Sequence, residues 1–366
     1  MHAMKFLVIT NHSYMLWQFR RELISALLER GEVVISTPFV GHEDDFAAIG
    51  CRLIETQIDR RSTNVKSDMA LKRAYKRMIR EEKPDIVITY SIKPNIYAGR
   101  ICRRLNVPYV ANVQGLGTAF QKKGIAAVVS TMYRSALRSA KAVVFENACN
   151  AEEFIRRGIC RREKIAVMNG AGVNLNVYSF QSYPTEERGI RFLFIGRIMR
   201  EKGIEELFTA ASELKKKYGD RVHFDIVGFF EDDYHEQVKQ LEKEGVLTFH
   251  GFREDPKPFY MADHCVILPS YHEGMSNVLL EAAATGRAII ASDIPGCREA
   301  VDEGVSGLLC RSEDAQSLRS AIEKFINMSP DERAAMGEAG RRKMEKEFDK
   351  DEVVRRTLAV ILDGER

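Results

Sequence analysis

Short apolar segments alternate with helix-length segments along nearly the whole chain, and this alternation limits the possible folds more than any other feature. In the first half the apolar segments lie at residues 6–10, 33–36, 86–89, 109–113 and 142–145. In the second half they recur at residues 192–195, 224–227, 247–249, 265–268, 288–291 and 307–310. Repeated β–α–β units of this kind predict an α/β protein whose parallel sheets are covered by helices on both faces. Such sheets bind ligands at the carboxyl ends of their strands.

A polar stretch near the middle of the chain divides the alternation into two blocks. It runs from Val177 to Gly189 and contains Pro184 followed by four polar residues. The chain has 366 residues, which is enough for two domains that each have a core. We therefore expect one α/β domain over residues 1–180 and another over residues 181–348, with a ligand-binding cleft between them.

Composition excludes several classes of protein. The chain is 45% hydrophobic and 29% charged, which is typical of a folded globular protein. No apolar run approaches the roughly 18 residues of a membrane span, and the first ten residues predict a strand rather than a signal peptide. The seven cysteines are scattered and lack Cys-x-x-Cys spacing, which indicates a reducing cytoplasm and neither a disulfide framework nor a zinc site.

Charge is distributed unevenly between the two halves. Residues 1–180 contain 28 lysines and arginines against 16 acidic residues, whereas residues 181–366 contain 27 against 36. The densest basic stretch runs from Arg60 to Arg80. Nucleic acid, an anionic lipid surface or a solvated helix face could each explain it, and without a nucleic-acid-binding motif we expect no nucleic-acid partner.

A second basic stretch, residues 119–141, has the pattern of an amphipathic helix. Its basic residues surround an apolar stripe, and the two sets are Lys122, Lys123, Arg134, Arg138 and Lys141, and Ile125, Val128, Val129, Met132 and Tyr133. Such a helix suits the surface of an anionic bilayer. The stripe could equally pack on the sheet, and both interpretations could hold at different faces of the helix.

The segment from Leu268 to Gly286 carries two carboxylates in unusual places. Ser276 and Asn277 suit a helix N-cap and Gly286 suits the C-terminal stop, so Glu273 precedes the helix and Glu281 lies within its apolar stretch. A buried carboxylate requires hydrogen-bond donors, which the hydroxyls of a sugar or ribose would supply. The helix N-terminus between the two glutamates favours phosphate. For an isolated pair, simple solvation is the alternative.

The form Glu-Gly-x-x-Asn-x-x-Leu-Glu-Ala at residues 273–282 resembles the signature of the retaining nucleotide-sugar glycosyltransferases of family four. Further matching blocks lie at residues 195–197, 201–203, 227–228, 249–251 and 291–299, so the resemblance covers nearly the whole length. It implies the GT-B fold, in which two Rossmann-like domains have parallel sheets facing across a cleft. It also implies that the helix over residues 349–366 crosses back to the first domain.

The resemblance implies that the second domain binds a UDP-sugar donor. Arg197 and Lys202, which follow a strand ending at Gly196, would neutralise the departing diphosphate. Glu281 would hold the ribose hydroxyls, and Glu273 would hold the transferred sugar and complete a catalytic set with Arg197 and Lys202. Outside this family context, an arginine and a lysine after a strand are more often solvated. The other predicted donor contacts are Phe252, Arg253, Gly274, Met275, Ser276, Asn277 and Val278.

In the first domain, residues 90–95 and 112–117 resemble a subgroup that builds bacterial surface glycans on a polyprenyl diphosphate carrier. The acceptor-binding residues predicted on this basis are His12, Lys93, Asn95, Gln114 and Gly115. Gln114 falls where many members have a histidine, and because glutamine cannot act as a general base we assign it to substrate positioning. Lys93 could pair with an acceptor phosphate or be a surface lysine at a helix start.

The resulting interpretation is a retaining hexosyltransferase of bacterial surface glycan or N-glycan assembly. It would move a hexose or N-acetylhexosamine, of GalNAc or GlcNAc type, from a UDP-sugar to a polyprenyl-diphosphate-linked sugar at the inner face of the cytoplasmic membrane. No cofactor or metal is expected, since the Asp349 and Asp351 pair suits surface charge. A covalent carboxylate adduct and front-face departure are both possible routes, and the family points to the second.

Two alternative functions remain open at the level of sequence. A UDP-sugar 2-epimerase shares the fold but would interconvert sugar nucleotides without an acceptor. A non-catalytic sugar-nucleotide-binding protein would bind UDP without turnover. A dehydrogenase fits poorly, because the Gly-x-Gly pairs at residues 115–117 and 170–172 lack the third glycine and the strand–turn–helix context of a dinucleotide site.

Overall fold

The computed structural model describes residues 4–58, 65–116, 120 and 123–362. They fall into two compact units, one comprising residues 1–171 with 351–366 and the other residues 172–350. Each unit contains one sheet with only parallel strand pairs. The predicted α/β class is confirmed.

The first unit is built on a seven-stranded sheet in the order β3-β2-β1-β4-β5-β6-β7. Its strands are β1 Met4–Ile9, β2 Gly31–Thr37, β3 Arg52–Glu55, β4 Ile86–Tyr90, β5 Tyr109–Val113, β6 Ala142–Phe145 and β7 Ile165–Val167. Its helices are α1 Ser13–Leu28, α2 Glu43–Ala48, α3 Val65–Glu82, α4 Ile92–Leu105, α5 Lys123–Leu137 and α6 Ala148–Arg156.

Strand β1 shows why this sheet is covered on both faces. Its residues alternate between two apolar clusters, with Leu7 and Ile9 in one and Phe6 and Val8 in the other, and all four are fully buried. This follows from the two-residue period of a strand, which sends successive side chains to opposite faces. Helices α3, α4 and α5 contribute to the first cluster, and α1 and α2 contribute to the second.

The second unit contains a six-stranded sheet in the order β10-β9-β8-β11-β12-β13. Its strands are β8 Ile190–Ile195, β9 Val222–Val227, β10 Thr248–Phe249, β11 Cys265–Leu268, β12 Ala288–Ser292 and β13 Gly307–Cys310. Its helices are α7 Ile204–Tyr218, α8 His235–Lys243, α9 Lys257–Ala262, α10 Asn277–Ala284, α11 Ala315–Ile326 and α12 Pro330–Glu347. One apolar cluster forms its core.

A final helix, α13 Lys350–Leu362, packs on the first unit. Val353 and Ile361 are buried in the same cluster as α1 and the Phe6 face of β1. The Lys141 ammonium also donates to the carbonyl of Ile361 at 2.7 Å. The chain therefore returns to the first unit after completing the second, as the family resemblance implies.

The two units divide between residues 171 and 172, nine residues before the expected boundary. Val173 explains the difference, since its N–H donates to the carbonyl of Phe348 and its carbonyl accepts from Lys350, both within the second unit. All eleven predicted strands are present. Strands β3 and β7 were not predicted, because β3 is a half-exposed edge strand of mixed polarity and β7 has three residues. None of the described helices is both long and apolar enough to span a bilayer.

Candidate functional site

The segment with the two glutamates forms the connection from β11 to α10. The helix begins as the sequence predicts, because the Ser276 hydroxyl accepts a hydrogen bond from the N–H of Leu279 at the N-cap. It also ends as predicted, since Gly286 follows the C-cap residue with a φ of 84°. The Ser276 N–H donates to the carbonyl of Gly296 at 3.0 Å. The turn before α10 is thus fixed against the loop that follows β12.

Glu281 is a buried carboxylate held by tyrosines. Its side chain is 9% exposed, and its Oε2 accepts a hydrogen bond from the Tyr260 hydroxyl at 2.9 Å. Burial raises the pKa of Glu281 to about 7, against the lowering effect of hydrogen bonds from Tyr260 and Tyr178 and of the charge on Lys350. A ligand that donates hydroxyl hydrogen bonds to this carboxylate would favour its ionised form.

Glu273 and Lys202 form an ion pair on the same side of the second unit. The Lys202 ammonium lies 2.5 Å from Oε1 of Glu273, and their side chains are 19% and 13% exposed. Lys202 belongs to the turn that follows β8, and that turn is tied to the glutamate segment because the Tyr271 N–H donates to the carbonyl of Glu201. The structure therefore brings together two of the residues assigned to the catalytic set.

The loop after β8 packs backbone against backbone with the loop after β9, and the loop after β11 does so with the loop after β12. A Cβ on Gly228 would lie 1.8 Å from the carbonyl oxygen of Gly196. A Cβ on Gly296, whose φ is 89°, would lie 2.5 Å from the carbonyl oxygen of Gly274 and 2.9 Å from the carbonyl carbon of Glu273. Any side chain larger than hydrogen at either position would displace a segment predicted to bind the donor.

Three other predicted donor contacts, Arg197, Phe252 and Arg253, are exposed, whereas Met275 is buried and Asn277 and Val278 begin α10. Arg197 is 44% exposed at the side chain and lies 3.8 Å from a carboxylate oxygen of Glu231. Phe252 is 54% exposed and meets Phe229, which is 45% exposed, in an edge-to-face arrangement with centroids 6.1 Å apart. Arg253 is also exposed. Phe229 is absent from the sequence-based prediction, although it directly follows the Val227-Gly228 block that carries part of the family resemblance.

The first unit contains a cavity of about 230 Å³ at the carboxyl ends of β4 and β5. Polar side chains from three segments line it, namely Asn11, Ser91, Lys93, Asn95, Asn112 and Gln114. Gly115, Ile58, Ile92, Val113 and Tyr133 complete the lining. Four of the five predicted acceptor residues thus border one cavity. The fifth, His12, is the N-cap of α1, where its Nδ1 accepts from the N–H of Met15 at 3.5 Å.

Lys93 and Asn95 are engaged with the protein. The Lys93 ammonium lies 2.9 Å from Oδ1 of Asp68, whose other oxygen accepts from the Tyr97 hydroxyl at 2.7 Å. Asn95 is fully buried, accepts from the Thr89 hydroxyl at 2.7 Å and donates to the carbonyl of Asn112 at 2.8 Å. Both residues therefore shape the cavity wall, and the positive charge there is already matched by a carboxylate.

Sequence reasoning did not assign Asn11, Ser91, Asn112 or Tyr133 to a site. The available signal was position, since Asn11, Ser91 and Asn112 lie at or just after the ends of β1, β4 and β5. Parallel strands place such residues along one edge of the sheet.

Helix α5 presents two different faces. Tyr133 is buried and Val129 and Met132 pack partly against the core, whereas Ile125 and Val128 are 49% and 60% exposed. The apolar stripe therefore both packs on the unit and reaches solvent.

Of the predicted basic residues, Arg60, Arg61 and Lys122 lie outside the described residues. On α3 the exposed basic residues are Lys66, Arg73, Lys76, Arg77 and Arg80.

Two sequence families match almost the whole chain between them. Residues 16–170 match the glycosyl transferase 4-like domain, and residues 179–343 match the glycosyl transferases of group 1. The chain is a glycosyltransferase of the GT-B fold. This confirms the family and the enzyme class inferred from the glutamate motif.

Relatives of this glycosyltransferase include enzymes of bacterial glycan assembly. The N,N'-diacetylbacillosaminyl-diphospho-undecaprenol alpha-1,3-N-acetylgalactosaminyltransferase of Campylobacter jejuni is 27% identical over 332 residues, covering 85% of this chain and 86% of that one. The capsular polysaccharide biosynthesis glycosyltransferase CapM of Staphylococcus aureus is 24% identical over 60% of this chain and 61% of its own.

Solved structures share the fold. The Anabaena protein HepE in complex with UDP superposes with a TM-score of 0.79 at 18% identity, over 98% of this chain and 100% of that one. A glycosyltransferase from Rickettsia africae gives the same TM-score at 17% identity, over 99% of each chain. Within the described part of this glycosyltransferase, no group of three or more His, Cys, Asp or Glu side chains is arranged to hold a metal ion.

Proposed function

We propose that this glycosyltransferase moves a hexose or N-acetylhexosamine from a UDP-sugar to a polyprenyl-diphosphate-linked sugar, with retention of anomeric configuration. The observation that carries the proposal is the Lys202–Glu273 ion pair at the turn leading into α10, a helix whose own Glu281 is buried against tyrosines. That arrangement offers a cation to phosphate and two carboxylates to hydroxyls.

For the donor, three kinds of group on the second unit match the parts of a nucleoside diphosphate sugar. Glu281 would accept hydrogen bonds from the ribose hydroxyls. Lys202 and Arg197 would neutralise the diphosphate, and Phe252 would contact the base. The Anabaena structure that contains UDP shares this fold, which supports the choice of nucleotide.

During transfer, the bond between the anomeric carbon and the UDP oxygen breaks, and the acceptor oxygen forms a new bond to that carbon. Negative charge develops on the departing phosphate, where Lys202 would stabilise it in the transition state more than in the ground state. The acceptor proton would pass to the departing phosphate oxygen. This front-face route suits a chain in which Gln114, which cannot act as a base, borders the acceptor cavity.

For the acceptor, the proposal rests on the Campylobacter relative, whose name specifies a sugar linked to diphospho-undecaprenol. A lipid-linked substrate would bring the enzyme to a membrane. The exposed Ile125 and Val128 on α5 and the exposed basic residues of α3 suit contact with the anionic inner face of the cytoplasmic membrane.

A two-substrate screen tests this function against its alternatives. Purified enzyme would be incubated with a panel of UDP-sugars, with and without polyprenyl-diphosphate-linked sugars, and the products analysed by mass spectrometry and anomeric proton NMR. We expect a lipid-linked product one sugar larger, formed with the donor's anomeric configuration. Interconversion of UDP-sugars without acceptor would instead identify an epimerase, and UDP binding without turnover would identify a sensor.

The variant Lys202→Ala tests whether this lysine takes part in catalysis. Lys216→Ala, at an exposed position, is its control. Lys216 lies on α7. We expect Lys202→Ala to lower kcat by about 10²-fold or more, the range found when one stabilising group is removed from a developing oxyanion. An unchanged kcat would remove Lys202 from the mechanism.

A further inference from the structure

The cavity in the first unit has a chemical character that specifies part of its ligand. We infer that it holds the sugar of the lipid-linked acceptor, not its diphosphate, and that this sugar carries an acetamido group. The inference rests on the proposed function and adds the class of acceptor sugar to it.

Size and charge favour a single neutral sugar ring. The volume of about 230 Å³ lies below the roughly 300–1,000 Å³ of pockets that take drug-sized ligands. Among the described residues that line it there is no carboxylate, and the one cation, Lys93, is paired with Asp68 at 2.9 Å. A diphosphate is bound through several charge-assisted hydrogen bonds, and this single paired lysine offers fewer cations than the Lys202 and Arg197 set proposed for the donor diphosphate. The cavity offers amides instead.

Asn112 presents a hydrogen-bond acceptor of fixed orientation. It is 5% exposed, and its Nδ2 donates to the carbonyl of Thr89 at 3.2 Å. A carbonyl can only accept, so this bond identifies the nitrogen and leaves the amide oxygen facing elsewhere. That oxygen receives no hydrogen bond from the described residues. An N–H or O–H group of a ligand in the cavity would supply this oxygen with a donor.

Gln114 adds a donor and an acceptor that the protein does not use. Its half-buried side chain lines the cavity and makes no hydrogen bond with the described residues. An acetamido group has an N–H to donate to Asn112 and a carbonyl to accept from Gln114. Its methyl group requires an apolar surface, which Ile58, Ile92 and Val113 provide. A plain hydroxyl would use the polar groups but leave the apolar wall without a partner.

Backbone strain at Ser91 is independent evidence that this wall is built for a ligand. Ser91 has a φ of 73° and a ψ of 160°, a region occupied almost only by glycine. A side chain in that conformation is strained, and such strain clusters at binding and catalytic sites. Its hydroxyl donates to Oδ1 of Asn11 at 2.8 Å, which orients a second amide of the lining.

The test compares two acceptors that differ only in the acetamido group. The probes are short-chain polyprenyl diphosphate N-acetylglucosamine and short-chain polyprenyl diphosphate glucose, each assayed with the donor found by the screen. We expect wild-type kcat/KM to be at least about tenfold higher for the acetamido acceptor, because the hydroxyl that replaces the acetamido group in glucose leaves the apolar wall without a partner. The variant Gln114→Ala should reduce this ratio to within about threefold, mainly by raising KM for the acetamido acceptor.

Gln18→Ala is the matched control, because Gln18 is a half-buried glutamine of the same unit on α1 and does not line the cavity. It should retain the wild-type ratio. Equal kcat/KM for the two acceptors in the wild type, or an unchanged ratio in Gln114→Ala, would overturn the acetamido inference while leaving transfer to lipid-linked sugars intact. Absence of transfer to either acceptor would overturn the proposed function together with this inference. Circular dichroism of each variant verifies that a lost preference does not reflect unfolding.

Discussion

At the scale of single residues, the buried carboxylate of Glu281 links folding, protonation and donor binding. Burial opposes its ionisation more strongly than the two tyrosine hydrogen bonds favour it, which is why its pKa is raised to about 7. A solvated glutamate would have needed no such partners. The apolar neighbours that identify α10 in the sequence are therefore also the cause of the unusual titration.

The first prediction concerns the pH dependence of stability. Between the unfolded pKa of about 4.5 and the folded pKa of about 7, the folded protein binds more protons at Glu281 than the unfolded chain does. Wild-type stability should therefore fall across this interval relative to Glu281→Gln, by roughly 3 kcal/mol in total. Urea unfolding of both proteins at pH 5 and pH 8 measures the difference. A difference that does not change with pH would contradict the assignment.

Proton release on nucleotide binding provides a second readout for Glu281. If ribose hydroxyls donate to the carboxylate, UDP favours its ionised form and the bound enzyme loses a proton near pH 7. Calorimetric titration of UDP in two buffers of different ionisation enthalpy should show heats that differ for the wild type. The Glu281→Gln variant should show no such difference.

At the scale of elements, the loops beyond the strand ends position the site through backbone contacts. The turn that carries Glu273 is held by the N–H bond from Ser276 to Gly296 and by the close approach of Gly296 to Gly274. Lys202 reaches Glu273 from the turn after β8. The position of Glu273 therefore depends in part on the loop after β12, which carries none of the predicted catalytic residues.

The second prediction tests this dependence with two glycines of positive φ. Gly296→Ala places a Cβ 2.5 Å from the Gly274 carbonyl, so it must displace the Glu273 turn, and we expect kcat/KM to fall by about 10²-fold. Gly304, whose φ is 74°, has no atom within 4 Å of its Cβ position and serves as the control. Gly304→Ala carries a similar backbone penalty and should keep near-normal activity. Equal losses in both variants would show that strain, not displacement, is responsible.

The sequence predicts this level of organisation well where local signals are strong. The caps of α10 and the eleven predicted strands follow from capping residues, glycine and apolar runs. The ion pair between Lys202 and Glu273 could not be predicted, because it depends on how two loops far apart in sequence meet. The orientation of the Asn112 amide could not be predicted either, because it depends on a hydrogen bond to Thr89 on the neighbouring strand.

At the scale of the whole molecule, the order of the chain and the distribution of charge matter most. The first unit is completed by α13, which follows the second unit in sequence. The net positive charge is concentrated in the first half of the chain, because acidic residues are fewer there. Stability and membrane contact should therefore respond to changes far from the nucleotide-binding residues.

The third prediction concerns α13. Ile361 is fully buried against the first unit, so Ile361→Ala should destabilise that unit by about 2–5 kcal/mol. Hydrogen exchange should accelerate in β1 and β2 more than in the strands of the second unit. Arg355→Ala is the control, because Arg355 is 71% exposed at the side chain and pairs with Glu352 on the same helix. Uniform acceleration in both units would argue against a local role for the helix.

The fourth prediction concerns membrane association. Liposomes containing anionic lipid should sediment the wild-type protein at low salt and progressively less at high salt, because screening weakens the attraction of exposed basic residues. Val128→Asp should reduce sedimentation several-fold at either salt concentration by placing a charge on the exposed face of α5. Val305→Asp is matched to it, since Val305 is 61% exposed but lies in the second unit. Similar sedimentation of the two variants would exclude α5 as the contact.

The return of α13 to the first unit also affects the order of events during protein synthesis. A ribosome translates the whole second unit before it reaches Ile361. Until then, the first unit lacks the helix that covers part of its apolar cluster. Domains emerging from the ribosome ordinarily fold from the N-terminus onward. For this chain, the domain translated first would be the one that matures last.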